Sequence, residues 1–480
     1  MVSNQRSVPT AHLLRRRCFL SVVLFANRGR HGAAAATKTL RRSLALLACA
    51  AVAGAVLATP SSLAAKRTHP YGIRPTSDVP PPMAPASAAL ENLQRTLDDD
   101  LNRQGGDNSA LVVDETTDRT LWAYNDTVGR LPASVEKLYT TTTALLKLGA
   151  NATFETKVFG VGRLTGGGTF IGTIYLRGGG DPSLGSSTFD HIMYGGSGST
   201  MGLLASDLKH DGVRRIQGAI IGDESYFDSL RGGPDTAYQP NIETEGSLSA
   251  LAYDAGFTNL NEDQLDADPP LVATQAFGAA LQRAGVSVPI GTHISTGVTP
   301  KAATLLTAEK SPTLATLVRL TNSPSDNFFA ETLLKDIGAR FGGRGSTAAG
   351  AAVVRSVIGT HFGLHPRLDD GSGLSRYDLT NPRQIVLLLR KMQSQRAFWN
   401  SLAIAGVRGT MVDEMRHTRG ANNCRGKTGT LHDVANLVGY CRAANGNRIV
   451  FALMMNGLTD STAGHELEDL DAEALAGYRG

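Results

Sequence analysis

The chain has 480 residues, of which 41% are hydrophobic and 19% charged, so it is long enough for two or three domains with a sizeable core. Its formal charge of +4 arises in the first 65 residues, which contain nine Lys or Arg and no acidic residue. The rest carries 38 basic and 43 acidic side chains, a net charge of about −5, which argues against nucleic acid as a partner.

Residues 1–65 have the features of an export signal. A short basic segment, residues 38–42, precedes an apolar, Ala-rich run over residues 43–59, and residues 62–64 offer a small-x-small cleavage site. We therefore predict export to the periplasm, cell wall or extracellular space. If the leader is not cleaved, the 17-residue apolar run is barely long enough to tether the protein to a membrane.

Next come a linker and the first part of a globular domain. Residues 66–88 are rich in Pro, Ser and Ala, which is typical of a flexible spacer. Residues 89–150 form the first part of the domain. The predicted elements between residues 86 and 150 are a helix over 86–102, strands Ser109–Val113 and Thr120–Tyr124, and a helix that opens at Ser134.

Residues 151–305 differ from this pattern, because glycine punctuates short β-rich runs. We predict an inserted β-rich domain with one or two helices. Its predicted strands are Lys157–Val161, Thr169–Leu176 and Ile216–Ile221, and its predicted helices are Gly202–His210 and Val272–Ala284.

Residues 306–480 return to the helical period and then to strands, and are predicted to complete the domain. Asn381 and Pro382 are typical of a helix start, as cap and first residue. The predicted helices are 311–318, 327–337, 348–358, 382–392 and 460–476, and the predicted strands are 423–426, 434–442 and 448–455.

A serine and a lysine three residues apart are the first candidate for chemistry. Side chains three apart on a helix share a face, so Lys137 is expected beside the hydroxyl of Ser134. The start of a helix favours developing negative charge. A nucleophilic serine activated by a lysine needs this layout, although Ser-x-x-Lys alone is common and a serine at a helix start is usually a cap.

Two later motifs strengthen that interpretation. Ser325-Asp326-Asn327 lies at a break between two predicted helices, and Lys427-Thr428-Gly429-Thr430 is placed on a predicted strand. Each has an ordinary structural explanation on its own, helix capping for the first and a strand leading to a turn for the second. Their occurrence together and in this order favours a catalytic site.

Ser-x-x-Lys, Ser-x-Asn and Lys-Thr-Gly occur in this order in penicillin-binding proteins and class A β-lactamases. The chain resembles the class C low-molecular-mass penicillin-binding proteins, which are D-alanyl-D-alanine carboxypeptidases and endopeptidases of the DacB type. The resemblance spans residues 89 to about 460 and also rests on residues 179–184, 222–227 and 370–376.

The resemblance implies an α+β fold. Its main part is a penicillin-binding/β-lactamase-like transpeptidase domain, with an antiparallel sheet flanked by helices and an all-helical subdomain. The β-rich insertion falls between the first and second motifs. The 191 residues from Ser134 to Ser325 are few for the family. We therefore expect one complete accessory domain and a second that is reduced or missing.

The resemblance also implies catalytic roles. Ser134 would attack the terminal D-Ala-D-Ala bond and form an acyl-enzyme. Lys137 would be its base, with a pKa lowered by burial and by Lys427. Ser325 would relay the proton to the leaving D-alanine, and Asn327 would bind the substrate amide and hold Lys137.

The third motif would bind the end of the substrate. Lys427 and Thr428 would bind the terminal carboxylate, and Gly429 would let another backbone come close. Backbone N–H groups of Ser134 and Thr430 would form the oxyanion hole. The implied partners are peptidoglycan stem peptides ending in D-Ala-D-Ala and, as inhibitors, β-lactams that acylate Ser134; no cofactor is implied.

Three other functions remain open: DD-endopeptidase action on peptide cross-links, a β-lactamase, and a catalytically silent wall-binding protein. A metal enzyme is not predicted. His361 and His365 are four residues apart, but they lack the Glu of a zincin motif and Gly363 would break the helix between them. No Gly-x-Ser-x-Gly elbow occurs, which argues against an α/β-hydrolase.

Two cysteines remain after the leader. Cys424 and Cys441 flank a predicted hairpin whose midpoint lies near His432 and Asp433, so they could face each other on adjacent strands. An exported protein permits a disulfide. We predict that they form one and brace the strand that carries Lys427.

Overall fold

The structure is a computed structural model that describes residues 79–480. The predicted leader, the predicted tether over residues 43–59 and the linker through residue 78 lie outside the described residues. Within residues 79–480, no helix has both the length and the apolar character needed to cross a membrane.

The described chain alternates helices and strands in two regions. The α-helices are α1 (Ala88–Gln104), α2 (Lys137–Leu148), α3 (Ser187–Tyr194), α4 (Met201–His210), α5 (Pro269–Arg283), α6 (Leu314–Asn322), α7 (Asn327–Phe341), α8 (Thr347–Phe362), α9 (Pro382–Met392), α10 (Arg396–Ser401) and α11 (Ser461–Gly477). The strands are β1 (Asp107–Asp114), β2 (Arg119–Tyr124), β3 (Glu155–Leu164), β4 (Thr169–Arg177), β5 (Leu184–Gly185), β6 (Ser199–Thr200), β7 (Arg215–Asp223), β8 (His293–Thr296), β9 (Thr304–Lys310), β10 (Ala403–Ile404), β11 (Arg425–Leu431), β12 (Val434–Arg442) and β13 (Arg448–Asn456).

A six-stranded antiparallel sheet organises the first region. Its strand order is β10-β11-β12-β13-β1-β2, so the amino-terminal hairpin pairs with a strand from the end of the chain. Asp107 lies opposite Asn456 in that pairing. Residues more than 300 positions apart therefore build one sheet, and the first motif is brought next to the third.

The central strands of this sheet are buried on both faces, because alternate side chains enter different cores. In β12, Leu437 and Cys441 pack with α1 and α11, whereas Val438 and Tyr440 face the helices on the other side. The same alternation continues in β13. This explains why both strands read as nearly continuous apolar runs.

Helices on the far face form the second layer. Helix α9 begins as the sequence predicts: Pro382 occupies the first turn and the Asn381 side chain accepts the N–H of Gln384 at 3.0 Å. Ile385 and Leu389 of α9 join the large core that includes α2, α6, α7 and α8.

The chain between the first and second motifs, all of it described, contains a separate five-stranded mixed sheet in the order β8-β7-β4-β3-β9. Helices α4 and α5 cover it through their own core, in which Leu204 and Phe277 are buried. Strands β4, β7 and β8 are parallel, and β3 is antiparallel to both of its neighbours. Strand β9 extends past the boundary predicted at residue 305.

Some elements are predicted at the wrong residues, and other elements of the structure are not predicted at all. The strand predicted over 423–426 is β11, which runs from Arg425 to Leu431 and includes the whole third motif. Its register is set by β12, with Arg425 opposite Tyr440, because the polar Lys-Thr-Gly-Thr run carries no alternating signal of its own. Helices α3 and α10 and strands β8 and β9 were not predicted; each is short or only partly buried.

The predicted disulfide is confirmed. Cys424 precedes β11, Cys441 lies in β12, and their sulfur atoms are bonded across a sequence separation of 17 residues. Both cysteines are buried beneath α11. The bond therefore joins two segments of the sheet on the side away from the second layer of helices.

Replacing both cysteines, as in Cys424→Ala with Cys441→Ala, should lower the free energy of unfolding by about 2–4 kcal/mol, because the unfolded chain regains the entropy of an open loop. Urea unfolding measures the loss. Wild-type protein unfolded in reductant should approach the double variant, and a non-reducing peptide map that finds Cys424 and Cys441 as free thiols would contradict the assignment.

Candidate active site

The first motif forms a short 3₁₀ turn, Ala133–Glu136, that leads into α2 at Lys137. Side chains three apart nearly eclipse one another in a 3₁₀ turn. Ser134 and Lys137 accordingly meet, with the Lys137 Nζ 2.8 Å from the Ser134 Oγ. The sequence predicted that these two side chains are neighbours but placed Ser134 in the first turn of the α-helix. In the structure the α-helix begins three residues after Ser134, at Lys137.

Lys137 is fully buried, and its amine has three oxygen neighbours. They are the Ser134 Oγ at 2.8 Å, the Asn327 Oδ1 at 2.5 Å and the main-chain oxygen of Ser372 at 2.9 Å. The last two can only accept hydrogen bonds, so they take the two N–H bonds of an uncharged amine. The remaining lone pair is then left for the Ser134 hydroxyl, which is the geometry a general base requires.

The second motif uses its middle residue as a helix cap. The Asp326 side chain accepts the N–H of Phe329 at 2.8 Å at the start of α7. Ser325 and Asn327 on either side are thereby free of capping and point to the two lysines. Ser325 has a φ of 71°, an uncommon conformation for a residue with a side chain and one often found at functional sites. Capping and site chemistry therefore coexist in this motif.

The third motif lies on β11, with Lys427 also fully buried. Its Nζ donates to the Ser325 Oγ at 2.8 Å and to the main-chain oxygen of Thr428 at 2.8 Å. The Thr428 hydroxyl is hydrogen-bonded to the Thr410 hydroxyl at 2.8 Å. Lys427 thus connects the second and third motifs.

Gly429 is where β11 passes closest to the first motif. A Cβ at this position would lie 2.5 Å from the main-chain oxygen of Pro132 and 3.1 Å from a methyl group of Val135. Only glycine allows this approach without moving the strand. The close backbone approach expected from the sequence is present.

Burial dominates the charge state of both lysines. It lowers the pKa of Lys137 to about 8, against the opposing effect of nearby carboxylates led by Glu245. The pKa of Lys427 is lowered well below its usual value, first by burial and then by the charge of Lys137. The sequence prediction assigned part of the shift of Lys137 to Lys427; here the repulsion acts chiefly on Lys427.

Four contributors to the site were not predicted. The loop after Asp370 presents the Ser372 carbonyl to Lys137, and the Asp370 carboxylate holds that loop by accepting three main-chain N–H groups. Thr430 is hydrogen-bonded to His465 at 3.0 Å, and Glu245 accepts the N–H of Asn327. The sequence marks the segment 370–376, which contains Ser372 and Asp370, only through the family resemblance, and His465 and Glu245 carry no local signal.

The structure therefore brings five of the predicted residues together in one cluster made of two hydrogen-bonded groups: Lys137 with Ser134 and Asn327, and Lys427 with Ser325. The two groups are close enough for the charge of Lys137 to lower the pKa of Lys427. Thr428, Gly429 and Thr430 continue along the adjoining strand. Among residues 79–480, no group of three or more His, Cys, Asp or Glu is arranged to hold a metal ion.

The site defines a class of protein, the serine hydrolases that pair Ser-x-x-Lys with Ser-x-Asn and Lys-Thr-Gly. Comparison with known families narrows this class. The model of the D-Ala-D-Ala carboxypeptidase 3 (S13) family matches residues 89–261 and 239–476. The chain belongs to this family.

Individual relatives agree with the family match. The chain is 27% identical to a D-alanyl-D-alanine carboxypeptidase of Actinomadura sp. (strain R39), over 83% of this chain and 87% of that protein. It is 24% identical to the D-alanyl-D-alanine carboxypeptidase DacB of Haemophilus influenzae, over 70% of this chain and 82% of the relative.

The fold agrees as well. The crystal structure of penicillin-binding protein 4 (dacB) from Haemophilus influenzae superposes with a TM-score of 0.66 at 21% identity, covering 82% of this chain and all of that one. A second structure of that protein, complexed with a β-lactam, superposes with a TM-score of 0.61 at 19% identity, over 80% of this chain and 98% of that one. The predicted family, the α+β penicillin-binding fold and the D-Ala-D-Ala carboxypeptidase type of enzyme are confirmed.

Substituting Gly429→Ala should damage the site without removing any reactive group. The added methyl must displace β11 from the first motif, at a cost of about 1–3 kcal/mol, and a shift of reacting groups approaching 1 Å costs about 10²-fold in rate. We expect acylation by benzylpenicillin to slow about tenfold to a hundredfold, measured by intact mass against time. Gly166→Ala, where a Cβ meets nothing within 4 Å, is the matched control. Equal rates for both variants would contradict the close-approach argument.

Proposed function

We propose that the protein is a serine-type D-Ala-D-Ala carboxypeptidase of peptidoglycan that works through an acyl-enzyme on Ser134. The observation that carries the proposal is the environment of the Lys137 amine. Two obligate acceptors occupy its N–H bonds and leave its lone pair for the Ser134 hydroxyl at 2.8 Å. Membership in the D-Ala-D-Ala carboxypeptidase 3 (S13) family supplies the reaction that fits this arrangement.

In the first half-reaction, the Ser134 Oγ attacks the carbonyl carbon of the D-Ala-D-Ala bond while Lys137 takes the hydroxyl proton. The C–N bond then breaks as the proton taken by Lys137 is relayed through the Ser325 hydroxyl to the amine of the leaving D-alanine, so that Lys137 is neutral again and Ser325 keeps a proton. In the second half-reaction, water attacks the ester and restores the Ser134 hydroxyl. The half-exposed position of Ser134 beside a fully buried lysine supports this division of roles.

Substrate binding falls to the remaining residues of the motifs. Asn327 binds the substrate amide while holding Lys137, and Lys427 with Thr428 binds the terminal carboxylate. Lys427 suits this role because an arriving carboxylate relieves the cost of its buried charge. Backbone N–H groups of Ser134 and Thr430 complete the site as an oxyanion hole, where one donor is typically worth about 10²–10³ in rate.

The proposed setting is the cell wall. Peptidoglycan stem peptides lie outside the cytoplasm, which agrees with the leader predicted over residues 1–65. We further propose that residues 151–305 are an inserted accessory domain and that 89–150 and 306–480 together form the catalytic domain. The separate core of the five-stranded sheet supports this division.

Benzylpenicillin should form a one-to-one adduct with the protein, detected by intact mass. Ser134→Ala should abolish the adduct, and Lys137→Ala should slow its formation by about 10²–10⁴-fold, the usual contribution of a general base. Wild-type protein should also release D-alanine from a stem peptide ending in D-Ala-D-Ala.

Other outcomes assign other functions. Release of a cross-linked peptide without free D-alanine would show an endopeptidase. Rapid drug hydrolysis without a lasting adduct would show a β-lactamase. Neither adduct nor product would indicate a wall-binding protein without activity and would overturn the proposal.

The acylation rate should depend on pH through Lys137. Burial lowers the pKa of Lys137 to about 8, so at pH 6 most of the amine is protonated and cannot act as a base. The rate of penicillin acylation should therefore rise about tenfold per pH unit between pH 6 and 7 and level off above about pH 8. Stopped-flow or timed mass measurements give the profile. A rate that is constant from pH 6 to 9 would contradict Lys137 as the base.

A further inference from the structure

The inserted region reaches the catalytic cluster through one short loop, residues 241–246. Its centre is a 3₁₀ turn, Ile242–Thr244, capped by the Asn241 side chain, which accepts the N–H of Glu243 at 2.8 Å. Asn241 and Gly246 also pair as an isolated antiparallel bridge, so the loop is closed at its base. The 241–246 loop is therefore a defined turn rather than an irregular connection.

Two groups of this loop hold Asn327. The main-chain oxygen of Glu243 accepts a hydrogen bond from the Asn327 Nδ2 at 2.6 Å, and the Glu245 Oε2 accepts the main-chain N–H of Asn327 at 2.6 Å. With its Nδ2 directed to Glu243, the amide must turn its Oδ1 the other way, toward Lys137 at 2.5 Å. The loop thus decides which end of the Asn327 amide faces the catalytic amine.

The backbone of the loop adopts an unfavourable conformation where it makes these contacts. Glu245 has a φ of 59°, in the left-handed region that residues with side chains rarely adopt. A Cβ at the following Gly246 would lie 2.2 Å from the main-chain oxygen of Ala255 and 2.5 Å from the ring of Phe328, so the loop is packed tightly against the first turn of α7. Such strain persists only where the surroundings enforce it, and it is concentrated at functional sites.

The Glu245 carboxylate also acts on both buried lysines. It is the strongest of the charges that raise the pKa of Lys137, ahead of Asp370, Asp326 and Glu331. It also raises the pKa of Lys427, whose other charged neighbour is Lys137 itself. A single negative group from the insertion therefore opposes the loss of charge from both lysine amines.

We propose that Glu245 is a positioning residue for acylation, which fixes Asn327 through one carboxylate oxygen and supplies the counter-charge shared by Lys137 and Lys427. The proposal rests on the roles given above to Lys137 and Asn327. It assigns the insertion a part in the reaction: the accessory region completes the catalytic site rather than merely standing beside it.

Two substitutions separate the contact from the charge. Glu245→Gln keeps an oxygen that can accept the Asn327 N–H but removes the charge, whereas Glu245→Ala removes both. Asp211→Asn, on an exposed turn of the same inserted region, removes one negative charge away from the site and is the matched control.

The pH profile of penicillin acylation tests the effect of the Glu245 charge on Lys137. Without the counter-charge the Lys137 amine loses its proton more easily, so the rising limb in Glu245→Gln should move to lower pH by about one unit. Asp211→Asn should follow the wild-type profile. Glu245→Ala should acylate at least about tenfold more slowly than Glu245→Gln at every pH, because Asn327 is no longer held. Profiles of wild type and Glu245→Gln that superimpose would overturn the shared counter-charge.

Hydrogen exchange of the Asn327 main-chain amide tests its hydrogen bond to Glu245 and needs no substrate. A peptide spanning residues 321–330, followed by mass spectrometry, should gain deuterium at this amide about tenfold faster or more in Glu245→Ala than in wild type. Glu245→Gln and Asp211→Asn should exchange like wild type. Unchanged exchange in Glu245→Ala would overturn the positioning role. The exchange measurement tests the positioning role of Glu245 even if wild-type protein forms no penicillin adduct. The absence of an adduct would count against the proposed function instead.

Discussion

The site depends on the burial of two lysine amines near each other. An ammonium group removed from water loses several kcal/mol of solvation, so each amine is driven toward its neutral form unless neighbours compensate. Lys137 and Lys427 are both fully buried, and both have lowered pKa values. Neutral oxygens satisfy their N–H bonds directly. Because these oxygens are neutral, burial brings the pKa of Lys137 down to about 8, and the carboxylates around the site oppose that shift.

These compensating oxygens come from distant parts of the chain. The partners of Lys137 lie 3, 190 and 235 residues away in sequence, and Lys427 meets Ser325 across 102 residues. Pairing of the amino-terminal hairpin with β13 and the close approach at Gly429 bring these segments together. The catalytic cluster exists only when the sheet and the helical layer have both formed.

Backbone strain shows how firmly the surroundings enforce the cluster. Ala133, Ser325 and Glu245 all have positive φ values and each adjoins or belongs to the site. Such conformations cost about 1–3 kcal/mol each. Packing holds them: a Cβ at Gly373 would lie 1.8 Å from the main-chain oxygen of Ala133, so the loop that carries Ser372 presses directly on the residue before Ser134. The strained residue of the first motif is therefore in contact with the loop that supplies an acceptor to Lys137.

The sequence was sufficient for residues whose signal is local and failed where partners are distant. The three motifs, the capped start of α9 at Asn381 and the cysteine pair could all be predicted, because spacing or residue type alone restricts them. Glu245 could not, since its partner Asn327 is 82 residues away and its conformation is imposed by packing. The role of Asn327 likewise becomes clear only from its distant partners. An asparagine can donate to Glu243 and accept from Lys137 at once, whereas an aspartate would put a second carboxylate against the amine, keep it protonated and remove the base. The motif position is thus explained only by the loop that the insertion brings to it.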